Sequence, residues 1–236
     1  MARGRRRRID WSQLRITRGA MWLLFAEVGL SLVWMLLDLE TRTEMARWLL
    51  ATSDGVWREG KVWTLLTSPL LQPELLSLLF HALILWMFVP TLERWWGTRR
   101  FLKFALYTSL AGTIAGTATG ALIGGAWMVA GLDPFIFASI VAFGVLYARQ
   151  PVQFFGVLPL TGRQLMWGII VFTALFVLLG RQWALAGAYT ASMGLAYLMT
   201  SGRWTPKLAY LKWKQRRARR RLKVVRGDDE PKRWIN

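Results

Sequence analysis

Few side chains in this 236-residue chain can move a proton or attack a carbonyl. There is no cysteine, so thiolate nucleophiles, disulfides and cysteine metal sites are absent. There is one histidine, His81, which excludes a zinc centre built on several imidazoles and any mechanism that needs two. A serine hydroxyl has negligible alkoxide character at neutral pH and needs an adjacent base, and His81 is the only imidazole that could serve. Two acids stand out by position. Asp133, just before Pro134, is open to two readings. As a helix cap it would accept backbone N–H groups and meet the positive end of the helix dipole. As a general base it would activate water with His81 as partner, chemistry for which enzymes normally use paired carboxylates or a metal. Glu27 lies within an apolar stretch, where an acid is a functional candidate by default, either contacting a client helix or bonding a neighbour that the sequence does not name. His81 is itself open between a ligand or proton carrier and an interhelical hydrogen-bonding group.

The elements that must position these groups are apolar. The chain is 54% hydrophobic and 14% aromatic, yet carries 31 Lys and Arg against 13 Asp and Glu, a formal charge of +18. The apolar residues come in unbroken blocks with the charge between them, which excludes disorder and an ordinary soluble domain. A hydrocarbon core about 30 Å thick takes about 20 apolar residues per helical crossing, so the sequence reads as a multi-pass membrane protein.

Six crossings are expected. The first, Gly19 to Leu37, contains Glu27; a central acid costs about 2.5–3.5 kcal/mol, and its nine Leu, Phe and Val residues return about 0.3–0.6 kcal/mol each. The basic stretch before it imitates a signal peptide, but no small-x-small cleavage site follows Leu37, so the segment is expected to remain as an anchor. Residues 38–74 are too polar to cross and too apolar for a free loop. They are expected to lie in the interface with Trp48, Trp57 and Trp63 at headgroup level.

The second crossing is expected over Leu75 to Leu92 and the third over Phe101 to Ile123, with Gly112, Gly116, Gly120 and Gly124 forming a ladder for close helix packing. A short fourth helix, Phe135 to Tyr147, opens near Pro134; the fifth and sixth run Leu165 to Leu179 and Trp183 to Met199. The organisation expected is a basic N-terminus over 1–18, a membrane domain over 19–200 and a basic tail over 201–236. With six crossings, 26 of the 31 basic residues fall on one side, which the positive-inside rule makes cytoplasmic, together with both termini. The runs Arg3 to Arg8 and Arg216 to Arg226 are expected to set topology and touch anionic lipid rather than nucleic acid, at about 1 kcal/mol per residue near the surface.

Several motifs resemble the rhomboid intramembrane proteases over about Val62 to Leu198. Val62-Trp63-Thr64-Leu65-Leu66-Thr67-Ser68 resembles that family's W-R-L-L-T-S stretch. Leu78-Leu79-Phe80-His81-Ala82-Leu83 is similar to its second-helix motif. Leu92-Glu93 with Gly97 and Arg100-Phe101-Leu102 matches the junction L-E-x-x-x-G-x-x-R-F-L, where Glu93 would hold a turn between helices two and three. Gly131 to Phe137 sits where the family carries G-x-S-G-x-I-F, and Val157-Leu158-Pro159 is similar to the short stretch after helix four.

The departures fall on the chemistry. Asp133 stands for the nucleophilic serine and Pro134 for the following glycine. Gly187 stands for the helix-six histidine, with Thr190 and Gly194 at the small positions, or Ala184 in a register shifted by three. Ser77 and His81 stand for the histidine and asparagine of helix two, Gln72 for another histidine, and Thr64 for the arginine. Family packing would bring Asp133 and His81 together.

The resemblance implies an all-α, six-helix rhomboid-like bundle: a pseudoprotease that binds transmembrane clients or partners without cutting them, with no cofactor or metal, in the bacterial inner membrane. Trp63 and Glu27 are its candidate partner-binding residues. Two alternatives stay open: a membrane anchor for a larger assembly, and a hydrolase using Asp133, His81 and water. An imidazole or other base facing residue 133 within reach of a proton would reverse the non-hydrolytic reading. Oligomeric state is left open.

Overall fold

The computed structural model describes residues 16–125, 127–154 and 158–202. The expected tail and the arginine runs at both ends lie outside the described residues. Within them the chain is mostly helical, and each apolar block is helical within a few residues of its expected limits, the second as two helices.

Helix α1 spans Arg18–Leu36 and is 19 residues long, about 28 Å at 1.5 Å per residue. After it come α2 (Leu39–Leu49), α3 (Ser53–Trp57) and α4 (Thr64–Thr67), the last continued by a 3₁₀ turn over Ser68–Leu70. The expected second crossing is divided. Helix α5 covers Leu75–Met87, and α6 covers Val89–Trp96 with Pro90 in its first turn, where a ring without an N–H cannot continue the preceding helix. Helix α7 runs Thr98–Ile123, α8 Asp133–Leu146, α9 Gly162–Gly180 and α10 Trp183–Thr200.

The chain is thus a helical integral membrane protein. Among the described residues α1 and α9 are long and apolar enough to cross a membrane singly. The pair from Thr64 to Leu70 and Leu75 to Met87, bent by 84°, would make a third crossing if it acts as one span. Helix α7 is longer than either, but its glycines and threonines dilute its hydropathy, and α8 is apolar but short.

The all-α expectation is corrected at two places. Strand β1 (Ala51–Thr52) pairs antiparallel with β2 (Met128–Val129), and β3 (Pro151–Phe154) with β4 (Leu158–Thr161). The first pairing pins the region between α2 and α4 to the α7–α8 connection. Around it Ser53 Oγ donates to the Gly125 carbonyl at 2.7 Å, Ser68 Oγ donates to the Val129 carbonyl, and Gly131 N–H donates to the Ser68 carbonyl at 3.0 Å. Residues 38–74 are therefore folded and docked, not a free loop.

Helix α8 sits at the centre, buried almost all round, as a uniformly apolar helix must be. Phe135 meets Phe101 and Phe104 edge to face beside Leu85, Val89 and Leu92. Helix α7 packs against α10, and its glycines bring it close to α10, to the start of α8 and to the α7–α8 connection. A Cβ at Gly112 would stand 2.4 Å from Pro134 Cβ; at Gly116, 2.8 Å from Val129 and 2.9 Å from Ala188; at Gly120, 2.8 Å from Trp127. Gly124 departs from the expected ladder. It is the C-cap at φ +84° with nothing near its would-be Cβ, so it ends the helix instead of packing it.

Candidate functional site

Three helices that are far apart in sequence each deliver one ionisable group to a buried polar chain. Glu27 projects from the middle of α1, His81 from the second turn of α5, and Asp133 from the start of α8. Glu27 Oε1 lies 2.6 Å from His81 Nδ1, and Asp133 Oδ1 lies 3.0 Å from His81 Nε2. Glu27 is fully buried and His81 nearly so, whereas the Asp133 side chain keeps 31% of its surface. The second oxygen of Glu27, Oε2, has no partner among the described residues.

Each nitrogen–oxygen contact at hydrogen-bond distance shares one proton, so both ring nitrogens of His81 are taken up by the two acids. Buried charge of this kind persists only when paired, and the pairing joins α1, α5 and α8.

The expected cap role of Asp133 is not what it does. The N-cap of α8 is Leu132; Asp133 is the first helical residue, and no side-chain cap bond forms. A carboxylate there still meets the positive end of the helix, but its direct partner is the His81 ring. The partner of Glu27 that the sequence could not name is His81.

Other sequence candidates lie elsewhere. Ser77 Oγ donates to Glu74 at 3.1 Å, away from the cluster. Trp63 is 44% exposed; its indole N–H donates to the Trp48 carbonyl at 2.9 Å and its ring stacks on Trp48. Thr64 Oγ1 donates to the Lys61 carbonyl, and the side chain of Gln72 lies against Gly131. Neither α10 register puts a residue opposite Asp133. A Cβ at Gly187 would run into Thr119 of α7, and the Ala184 carbonyl oxygen would stand 3.3 Å from a Cβ added at Gly116, because small residues of α10 are spent on the close approach to α7.

The α10 residue turned toward α8 is instead Tyr189, which sequence reading missed. It is buried and packs edge to face on Phe137 at 4.8 Å. The signal was present: Ala184 and Ala188, four apart, mark the α7-facing stripe, and the next residue lies about 100° round the helix.

Glu93 is a second polar focus, at the α6–α7 junction with Gly97 at φ +77°. Its carboxylate accepts from Thr98 Oγ1 (2.6 Å), Thr17 Oγ1 (2.5 Å) and the backbone N–H groups of Gly19 and Ala20 (2.8 Å each). It therefore serves two helices, closing the turn into α7 and capping the N-terminus of α1, whose own N-cap Thr17 makes no side-chain cap bond. Burial pushes this carboxyl up, but the four hydrogen bonds outweigh it and hold it below the usual glutamate range.

Among the described residues no group of three His, Asp or Glu side chains converges on a point where a metal could sit. The cluster is a chain of pairwise contacts, acid to ring to acid.

The family comparison adds an identity to this geometry. Residues 21–203, most of the chain and the whole of the polar cluster, match the family described as eukaryotic integral membrane protein (DUF1751). The chain belongs to that family. Membership establishes the integral membrane character and corrects one expectation: a family of eukaryotic membrane proteins is incompatible with placement in a bacterial inner membrane. No curated protein matches the chain.

Proposed function

We propose that this member of the family is a rhomboid-like, six-crossing protein that binds transmembrane clients or partners without cutting them. The observation that carries the reading is the state of the only imidazole. Both ring nitrogens of His81 lie against acidic side chains, at 2.6 Å and 3.0 Å, so neither is left facing a nucleophile hydroxyl. Residue 133 is an acid, not an alcohol, and the α10 side chain that packs on Phe137, one turn further along α8, is Tyr189 rather than a base. In this reading the polar cluster is a clamp holding three helices in register. Binding falls to the apolar surface around α5 and α9, where Phe172 and Phe176 lie exposed, and the basic termini touch anionic lipid on the cytoplasmic side.

One observation favours a hydrolase. An imidazole does face residue 133 at 3.0 Å, the condition set above for reversing the non-hydrolytic reading, which is kept only because both ring nitrogens are occupied by acids. Asp133 also keeps an exposed edge at which a water could be activated, oriented through His81 and Glu27. The test is direct. The purified protein in lipid vesicles is mixed with single-span substrates and the products are resolved by mass. No cleavage is expected. Cleavage that Asp133→Ala abolishes would sink the binding reading and install the hydrolase. An anchor role is separated by co-purification: one stoichiometric partner points to an anchor, and a heterogeneous set of helical clients supports the proposal.

A further inference from the structure

A cavity that includes none of Glu27, His81 or Asp133 in its lining lies where α8, α9 and α10 meet. Helices α9 and α10 are joined by the two-residue turn Arg181-Gln182 and diverge from it, with α8 as the floor between them. At the opposite end α9 is pinned to α8. A Cβ on Gly144 would stand 2.4 Å from Met166, and one on Gly162 would stand 2.5 Å from the Tyr147 carbonyl. The space so enclosed is a groove of about 1060 Å³.

Its walls and its mouth differ in chemistry. Val141, Ile170, Val177 and Met193 are among the apolar residues that line it, and Gly194 leaves the α10 wall bare, with nothing within 4 Å of a would-be Cβ. At the end shared by the C-terminus of α8 and the N-terminus of α9 stand Arg149 and Arg163, both exposed. The lining contains no acid, and neither arginine has an ion-pair partner among the described residues. Two unpaired cations at the headgroup end of an apolar trough are complementary to a ligand with one anionic end and long hydrocarbon chains. Basic pockets between membrane helices bind lipid headgroups in this way.

We propose that the groove between α8, α9 and α10 holds one anionic phospholipid, its phosphate between Arg149 and Arg163 and its acyl chains along the apolar walls. The arginines belong to a connection that positive-inside counting places in the cytoplasm, where membranes present their anionic lipids. The inference does not depend on whether the polar cluster is catalytic.

The basic termini would bind anionic surfaces too, so the experiment must separate groove from tail. The full chain, delipidated in detergent, is titrated with dioctanoyl phosphatidylserine, dioctanoyl phosphatidylcholine or inorganic phosphate. Bound lipid is counted by native mass spectrometry. One phosphatidylserine is expected to remain bound per chain, with phosphatidylcholine much weaker and inorganic phosphate without competing effect. Arg149→Gln with Arg163→Gln is expected to weaken it about 30-fold, the factor two cations of about 1 kcal/mol each represent.

Gly194→Leu fills the trough while leaving every charge in place, and is expected to remove the bound lipid at least as completely; Ala174→Leu is a second blocking variant should the first not fold. Retention of lipid by both blocking variants would overturn the proposal, because binding would then be at the termini. Equal affinity for phosphatidylcholine, competition by inorganic phosphate at matching concentration, or a stoichiometric polypeptide displaced by Gly194→Leu would each overturn it as well.

Discussion

At the scale of single residues the molecule turns on an acid that has no business in an apolar helix. Glu27 is tolerable because His81 meets it, and His81 is held in turn by Asp133. Such a pairing adds little net stability over a well-packed apolar core, but breaking it on one side strands a buried charge, at about 3–5 kcal/mol. His81→Leu is therefore expected to destabilise the fold by about that amount. Adding Glu27→Leu should recover more than half of it, since the stranded acid is then gone. Unfolding of the single and double variants in detergent measures both, and additive losses would refute the coupling.

How much of this was legible differs residue by residue. Glu27 announced itself, because an acid amid nine Leu, Phe and Val residues needs a reason. Its partner did not: His81 is 54 positions away, and hydrophobic periodicity fixes a helix but not its rotation against another. Asp133 was misplaced by one position. The helix begins at Asp133 itself with Leu132 as cap, and single-residue uncertainty at a helix end decides whether a carboxylate caps its own helix or reaches across to another.

Among the elements, the apolar blocks were readable and their breaks were not. The length and composition of each block specify a helix, and Gly112, Gly116 and Gly120 specify close approach, which the contacts with Pro134, Ala188 and Trp127 fulfil. The split between α5 and α6 was hidden by the unbroken hydropathy of residues 75–92, although Pro90 marked it. The short strands fall below any detectable alternation, since two to four residues cannot display a period.

The junction acid Glu93 was recognisable as structural, but its reach to α1 came only with the fold. It yields a pH prediction. A carboxyl held below its usual value in the folded state binds protons less readily there than in the unfolded chain. Its stabilising contribution is complete above the unfolded value near 4.5 and disappears as the pH falls through the lower folded value. Glu93→Gln should lower the unfolding temperature at pH 7, and the gap to the parent protein should close as the pH drops below 4.5. A gap that stays constant down to pH 3 would show that Glu93 contributes only packing.

For the whole molecule the open quantity is the number of crossings, and the charge pattern and the helix lengths answer it differently. Length and hydropathy credit α1 and α9 alone, or these two with the bent pair that ends in α5; the distribution of 31 basic residues fits six. The three answers put different parts of the chain on different sides. Two crossings leave residues 44 and 99 together, opposite both termini. Three place 44 and 99 on opposite sides and separate the termini from each other. Six place 99 with both termini and 44 alone across the membrane.

The chain contains no cysteine, so a thiol introduced singly by Arg5→Cys, Glu44→Cys, Arg99→Cys or Glu230→Cys is the only one a maleimide can find. Residues 44 and 99 are exposed, so their labelling reports sidedness and not burial. With an impermeant maleimide applied to intact and to opened vesicles, positions 5, 99 and 230 are expected to label from the cytoplasmic face and position 44 from the other. Labelling of 99 from the same face as 44 would reduce the bundle to two crossings and leave α5, α7, α8 and α10 without a bilayer role. That outcome would also remove Arg149 from the cytoplasmic surface, so the same four variants test the sidedness on which the lipid groove was argued.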